Sequence, residues 1–484
     1  MFSGKFRTIA YVTGLFCLYL AVAMLAPMVV DLIDDNEDWK GFMVTFFLVG
    51  SVSAAILIAN RGEMVAFSPR MGFLLINVLW ITTSFASSIP FLLGATDISF
   101  TDAVFEAVSG LTTTGATVMT GLEDMPRGLL LWRSTMQWLG GIGIVAMGLL
   151  ILPFLRVGGM QFFRMESSER ADKPVARIQT FASYLITIYV MLTLSCMVTY
   201  AAGGMEWFDA LNHAMTTIAT GGYSTHDTSF AQFGDAVLVT AIIFMLVGAL
   251  PFTAFFLFLI NNDFRKAFDN QIYGLLIIVF ALFIPAFIAA SETGAFLPSD
   301  AFIHSLFNVV SIVTTTGYAT TDYVSWGPLA VSVFLVASFV GGCAGSTAGG
   351  FKIYRLIILA QTLRASIREL VYPNGVFPVY YNGRRLSPVA LQSITVFFFA
   401  FIAILFIFTI LLAATGMQFD DAFAGSLSCL TNVGPGITAL IGPAGNFASV
   451  PETAKWLMII LMLLGRLEIM TLLVILTPMF WRSD

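Results

Sequence analysis

Asp102-Ala-Val-Phe-Glu-Ala-Val-Ser-Gly-Leu-Thr-Thr-Thr-Gly115 recurs in altered form as Asp209-Ala-Leu-Asn-His-Ala-Met-Thr-Thr-Ile-Ala-Thr-Gly-Gly222, His304-Ser-Leu-Phe-Asn-Val-Val-Ser-Ile-Val-Thr-Thr-Thr-Gly317 and Asp421-Ala-Phe-Ala-Gly-Ser-Leu-Ser-Cys-Leu-Thr-Asn-Val-Gly434. In each copy a polar residue stands thirteen positions before the aligned glycine. The apolar, small-residue stretch between them makes about three helical turns, too short to cross a bilayer core of roughly 30 Å. It reads as a re-entrant half-helix. Asp102, Asp209 and Asp421 suit its N-cap, leaving the C-terminus and its partial negative charge aimed into the membrane, where it favours a cation.

Each half-helix runs into a Thr/Gly segment: Thr113-Thr114-Gly115, Thr220-Gly221-Gly222, Thr315-Thr316-Gly317 and Asn432-Val433-Gly434. Non-helical backbone at membrane depth is tolerated only where it is buried in protein or lines water. Glycine reaches the dihedrals that turn carbonyls toward an ion, and threonine hydroxyls supplement those oxygens. A single copy would be read as ordinary small-residue helix packing. Four copies, each between full spans and on one side of the membrane, point to four segments lining one pore and binding the permeating ion.

The rest of the chain agrees. Of 484 residues 58% are hydrophobic and 11% charged, against roughly 45–50% and 25% in soluble domains, which excludes a soluble fold. Ten apolar segments long enough to span start near Ala10, Phe42, Met71, Gly128, Thr180, Asp235, Gln271, Trp326, Pro388 and Thr453. Ala21-Val22-Ala23 resembles a signal-peptide cleavage site, but the apolar run continues past it, so the first segment is kept as a span. Cys17, Cys196, Cys343 and Cys429 lie in or beside apolar stretches, with neither disulfide nor metal-ligand spacing, and read as packed thiols.

Cations occupy every second connection: Arg61 and Arg70; Arg156, Arg164, Arg170, Lys173 and Arg177; Arg265 and Lys266; Arg364, Arg368, Arg384 and Arg385. Cytoplasmic loops are enriched in Lys and Arg, so these connections and both termini are expected inside. The alternate connections hold acids, as from Asp31 to Asp38 and from Glu292 to Asp322, and would draw cations to the outer face.

Thr314-Thr-Thr-Gly-Tyr318 is similar to the potassium-channel filter TVGYG. With Gln137-Trp-Leu-Gly-Gly141, Gly221-Gly-Tyr-Ser-Thr-His226, Gly341-Gly-Cys-Ala-Gly-Ser-Thr347, Leu430-Thr-Asn-Val-Gly-Pro-Gly436 and Gly465-Arg-Leu-Glu468, the chain resembles the Trk/Ktr/HKT superfamily of cation transporters, in particular its bacterial TrkH/TrkG branch. The resemblance implies an all-α integral membrane fold. Two N-terminal helices (1–65) would precede four helix–pore-helix–helix units at 66–160, 161–265, 266–372 and 373–484, in pseudo-four-fold arrangement around one pore. It further implies potassium as the transported ion, no covalent cofactor, a bacterial cytoplasmic (inner) membrane location, and a homodimer. The homodimer would sit on a cytosolic ring of nucleotide-binding TrkA-type subunits, for which the basic cytoplasmic residues form a docking face. Nucleic acid is not expected as a partner. In this superfamily glycine at the filter position of all four units accompanies potassium preference, and Gly115, Gly222, Gly317 and Gly434 are all present. Asn432-Val433-Gly434-Pro435 departs from the Thr-Thr-Gly form, so the ring is not chemically four-fold.

Unit three is interrupted by Gly341-Gly342-Cys-Ala-Gly345-Ser346-Thr347-Ala-Gly349-Gly350, with Lys352 just beyond. So many glycines destabilise a continuous helix, and the resemblance implies that residues 341–350 form an intramembrane loop beneath the filter that obstructs the closed pore. A tightly packed glycine face is the plainer alternative. The stretch is not a phosphate loop: Lys352 is one position late and Ile353 replaces the hydroxyl residue. Arg466 lies near the middle of the last span, where an unpaired arginine costs about 2.5–3.5 kcal/mol. Glu468, two residues on, would not face it on a helix, so Arg466 is expected to meet carbonyls of the 341–350 loop and belong to the gate. Glu106 reads as a buried support for the filter or an external cation attractor, Arg133 as a partner for a carboxylate, and His213 and His304 as caps or packing groups. Coupled K+/H+ or K+/Na+ symport is the alternative to channel-like permeation, disfavoured by the few acids and histidines within the spans. A membrane enzyme would need converging catalytic groups, and the sequence offers none.

Overall fold

The computed structural model describes residues 2–62, 68–94, 96–147, 174–261 and 269–482. The expected unit boundaries at 65/66, 160/161 and 265/266 lie outside these residues, as do Arg156, Arg164, Arg170, Lys173, Arg265, Lys266 and the side chain of Arg177.

Three helices come first: α1 (Phe2–Ala23) runs almost straight into α2 (Leu25–Ile33), and α3 (Trp39–Ala59) packs back against both. Three-part units then repeat: α4 (Pro69–Leu93), α5 (Phe100–Leu111) and α6 (Arg127–Ala146); α7 (Pro174–Ala202), α8 (Trp207–Ile218), and α9 (Asp235–Ala249) with α10 (Phe252–Asn261). The third comprises α11 (Asn270–Glu292), α12 (Pro298–Val313), α13 (Pro328–Phe339) and α14 (Ile353–Val371); the fourth comprises α15 (Pro388–Ala414), α16 (Phe419–Thr431), α17 (Glu452–Arg466) and α18 (Met470–Leu476). Among the described residues six helices are long and apolar enough to cross a bilayer, or eight if each of two bent pairs is one span. Eight of the ten expected spans correspond to these; near Gly128 lies the 20-residue α6, outside that count, and near Trp326 the 12-residue α13, which stops before residues 341–350.

The half-helices α5, α8, α12 and α16 build the centre. Each packs against its own flanking helices and against the second long helix of the preceding unit: α8 on α6, α12 on α9, α16 on α13, and α5 on α17. That last contact closes the ring and gives the pseudo-four-fold arrangement. Tight approach is provided by glycine. A Cβ on Gly140 of α6, Gly248 of α9 or Gly465 of α17 would press on the carbonyl of Leu111, Ile218 or Leu430, in each case the residue four before the repeat glycine.

The half-helix starts differ from expectation. Asp102, Asp209 and Asp421 are third residues of their helices, and Ser99, Glu206 and Gln418 occupy the cap positions. Ser99 Oγ accepts from Asp102 N at 3.1 Å, a short hydroxyl being well suited to this bond, while the carboxylates complement the helix dipole from within the first turn. In unit three the helix begins at Pro298 and has 16 residues, so His304 lies a turn inside it. Proline at the first position starts it early, since its missing N–H needs no partner there.

Besides unit three, interrupted between α13 and α14, two second helices are sharply bent. Between α9 and α10 the chain bends by 90°, and between α17 and α18 by 114°. The last span is thus not continuous with Arg466 near its middle; it ends after Arg466, and Glu468 adopts φ 59° in the turn. A small antiparallel hairpin, Tyr380–Tyr381 with Arg384–Arg385, connects units three and four. Its Asn382-Gly383 turn has φ 47° and 75°, the left-handed pair that favours these two residues in a two-residue hairpin.

The N-terminal extension is tied to unit one by Asp31. Pro126 at the cap position of α6 has no capping side chain, and Asp31 Oδ1, fully buried, accepts from Gly128 N at 2.6 Å instead. Asp31→Ala removes this cap and is expected to cost about 1–2 kcal/mol, read as a lower thermal midpoint in detergent; an unchanged midpoint would show that the contact stabilises nothing.

Candidate functional site

All four half-helices end in the same way. Thr113, Thr220, Thr315 and Asn432 take the left-handed conformation at φ 51°, 50°, 56° and 55°. The next residue folds its N–H back onto the helix: Thr114 to Ser109 O at 2.9 Å, Gly221 to Thr216 O at 2.8 Å, Thr316 to Ser311 O at 2.8 Å and Val433 to Ser428 O at 3.1 Å. This is the Schellman closure, whose left-handed position is usually glycine. A β-branched threonine there carries strain of about 1–3 kcal/mol and marks a functional constraint. Gly115, Gly222, Gly317 and Gly434 follow at φ 82°, 80°, 86° and 99°.

Those glycines close a ring. A Cβ on Gly115 would run into the carbonyl oxygen of Gly221, one on Gly222 into that of Thr316, one on Gly317 into that of Val433, and one on Gly434 into that of Thr114. Each glycine therefore abuts the carbonyl preceding the glycine of the next unit, in chain order and back to the start. All four also line a cavity of about 270 Å³ together with Arg133 and His226. One of the four carbonyls is not free, because Gly221 O accepts from Gln137 Nε2 at 2.6 Å.

Behind the ring a polar clamp repeats nine residues before the first three of these glycines. Glu106 accepts from Thr117 Oγ1 at 3.0 Å and Val118 N at 3.1 Å, His213 Nε2 meets Ser224 Oγ at 2.9 Å, and Asn308 Oδ1 accepts from Thr320 N at 3.2 Å. Each ties its half-helix to the non-helical segment that returns from the glycine; in unit four the position is Gly425. Glu106 is fully buried and paired with Arg133 Nε at 2.8 Å, so it is a support, and Arg133 is its neutralising partner. His213 is a packing group, as expected. Tyrosines brace across units: Tyr223 OH donates to Glu106 O at 2.9 Å and Tyr318 OH to His213 O at 3.2 Å.

Residues 341–350 are not helical and lie against the Thr/Gly segments. Gly349 N donates to Thr315 Oγ1 at 2.6 Å, Thr220 Oγ1 meets Thr347 Oγ1 at 3.2 Å, and Thr347 Oγ1 donates to Ile218 O at 2.9 Å. The loop leaves and rejoins its helices side by side: Gly341 N donates to Phe351 O at 3.0 Å, and a Cβ on Gly341 would overlap Gly349 and Gly350. Gly345 and Gly350 turn at φ 75° and 69°. Gly342 packs on Ala348 and Ser346, and Ser346 Oγ donates to Cys343 O at 2.7 Å. Lys352 Nζ donates back to the Ala348 carbonyl, and Arg466 Nη1 donates to Thr347 O at 2.9 Å, one loop carbonyl rather than several.

Sequence reasoning missed the partner of Glu468, which is Arg355 at 2.6 Å, with the guanidinium 3.7 Å over the Phe397 ring. It also missed Gln137, although its motif was in view. A polar side chain within an apolar span is the signal both carried. His304 is not brought to this centre; its ring lies 5.4 Å from that of Phe296, tilted by 51°.

A multi-pass helical protein with four half-helices converging on one pore belongs in fold and site with the membrane transporters that carry cations, not with enzymes. The TrkH family, described as cation transport protein, matches residues 39–286 and 270–483, and the chain belongs to it. The Trk system potassium uptake protein TrkI of Halomonas elongata is 41% identical over 483 residues, 99% of this chain and 98% of that one. The Trk system potassium uptake protein TrkG of Escherichia coli is 31% identical over 488 residues, covering 100% of both. The crystal structure of the potassium transporter TrkH from Vibrio parahaemolyticus matches with a TM-score of 0.90 at 37% identity, covering 99% of this chain and 100% of that one.

Removing one partner of the buried pair behind unit one leaves a charge without a counter-ion. Glu106→Leu is expected to destabilise by roughly 3–5 kcal/mol and Glu106→Leu with Arg133→Leu by less. Thermal unfolding of the single and double variants in detergent checks this, and a double variant worse than the single would refute it.

Proposed function

We propose that this chain is the membrane-embedded, ion-conducting subunit of a Trk-type potassium uptake system, passing K+ and Rb+ down their electrochemical gradient. The single observation that carries this reading is the closed ring in which each repeat glycine abuts the next unit's carbonyl. Carbonyl oxygens gathered at half-helix C-termini replace the hydration shell of a cation. Thr113 to Gly115, Thr220 to Gly222, Thr315 to Gly317 and Asn432 to Gly434 then form the selectivity filter, with K+ as cargo. The relatives' names support potassium as the ion. Glu106 and Glu468 are buried in ion pairs with Arg133 and Arg355, which favours passive permeation over proton coupling.

The loop of residues 341–350 is the gate, closed in this conformation, and Lys352 and Arg466 hold it. Its hydrogen bonds to Thr315 and Thr220 support a plug directly beneath the filter. The extension and four units divide at 65/66, 160/161, 265/266 and 372/373. The half-helices enter from outside, both termini face the bacterial cytoplasm, and the protein works as a homodimer on a TrkA-type ring. Arg364, Arg368, Arg384 and Arg385 are exposed on α14 and the hairpin and serve as part of that docking face.

Cation flux into liposomes tests the reading. Potassium and rubidium are expected to pass well ahead of sodium and lithium, with no response to an imposed proton gradient; flux that requires protons or sodium would replace this reading with symport. Arg466→Ala is expected to raise basal rubidium flux about tenfold, a typical coupling between two states, and unchanged basal flux would remove Arg466 from the gate.

A further inference from the structure

Between the loop and the last helices lies a small second cavity, of about 30 Å³, lined by Gly345, Gly349, Lys352, Arg355, Arg466 and Glu468 among others. Three cationic side chains and one carboxylate face this space. Glu468 is already paired with Arg355 at 2.6 Å. Lys352 Nζ donates a hydrogen bond to the Ala348 carbonyl. Arg466, only 2% exposed, spends Nη1 on Thr347 O and leaves both Nε and Nη2 without a hydrogen-bond partner. Buried donors in folded proteins are nearly always satisfied, and a buried charge without a counter-charge costs several kcal/mol.

Water would accept the hydrogen bonds but would not neutralise the charge, and its own protons would need acceptors among groups that are mostly donors. A halide accepts from several N–H groups at once and supplies the missing charge. The cavity is large enough for one such ion, since a single water needs only about 10–15 Å³ on this measure.

We infer that the closed loop completes a binding site for one monovalent anion of the halide class, held by Arg466 and Lys352. The functional consequence rests on the loop being the gate. Loop residues Gly345 to Gly350 form part of the wall, so opening dismantles the site, and by linkage the anion favours the closed state. The charge pattern that repels a potassium ion below the filter is then the one that captures an anion while the pore is shut.

The test uses the full chain in detergent, with sodium gluconate exchanged for sodium bromide at constant ionic strength. The expected results are a saturable rise of the thermal midpoint with bromide and an anomalous bromide peak between Arg466 and Lys352 in crystals grown in that salt. Arg466→Gln and Lys352→Gln should each lose the midpoint response, the second serving if the first fails to fold. Either a cavity holding only water in the bromide crystals or a midpoint blind to bromide overturns the inference. Basal rubidium leak is measured alongside. Bromide bound with a leak indifferent to it keeps the site and rejects the gate; no bromide, with leak raised by Arg466→Ala, rejects the site and keeps the gate.

Discussion

Every helix leaves its last carbonyls without partners inside the helix, and here four such ends are made to meet at one axis within a membrane. The chain must leave helical geometry there without stranding its own N–H groups, and the fold-back from Thr114, Gly221, Thr316 and Val433 achieves this. That closure forces a left-handed residue into each unit, and the residue is Thr113, Thr220, Thr315 or Asn432, not glycine. Strain of this kind persists only where the surroundings over-determine it. Glycines that admit the neighbouring carbonyls, polar clamps on the returning segment and tyrosines across the unit boundary supply that over-determination.

The four quarters are not equivalent. Units one to three carry the clamp as Glu106, His213 and Asn308, while unit four has Gly425, with Met458 packed where a side chain would lie. Tyrosine follows the glycine in units two and three, alanine in unit one and proline in unit four. Asn432 instead sends Nδ2 to Thr114 Oγ1 at 2.9 Å and to Met462 O at 3.0 Å. Met462 lies one turn before Arg466 on α17, and Arg466 reaches the loop. Unit four, which lacks the clamp side chain, thus reaches the loop through Arg466, whereas units two and three reach it directly through Thr220 and Thr315.

How much of this could be read from the sequence depended on repetition. Periodic glycine, an apolar stretch of fixed length and the placement of cations located the half-helices, the ring and the interrupted helix, because each rests on a pattern of residue types. Cap positions were misjudged because Asp102 satisfies both the cap preference and the first-turn charge preference, and only geometry separates Ser99 from Asp102. The longer α12 escaped notice because alignment on glycine fixed the start by counting, whereas Pro298 fixed it by chemistry. Arg355 with Glu468 is a contact between residues 113 positions apart, and neither one's local context names the other. The break after Arg466 is set by the turn at Glu468, a residue with no local reason to take positive φ; its bond to Arg355 provides one.

The loop's hold on the ring is made of individually modest contacts. Gly349 to Thr315, Thr347 to Ile218 and Gly248, and Arg466 to Thr347 are hydrogen bonds, each contributing about 0.5–1.5 kcal/mol net, and more where a charge takes part. Under the gating role proposed above, withdrawal of the loop would exchange them for water, so the two states would differ by a few kcal/mol, not by their sum. A loop packed by large side chains would have lost far more on opening, since a buried leucine or phenylalanine contributes about 1.5–3 kcal/mol by burial alone. Residues 341–350 carry no side chain larger than threonine or cysteine, so the hold of this segment on the ring is energetically shallow. A shallow hold is one that differential binding would reverse, because moving an equilibrium from one state to the other takes only about 5.5 kcal/mol of differential affinity.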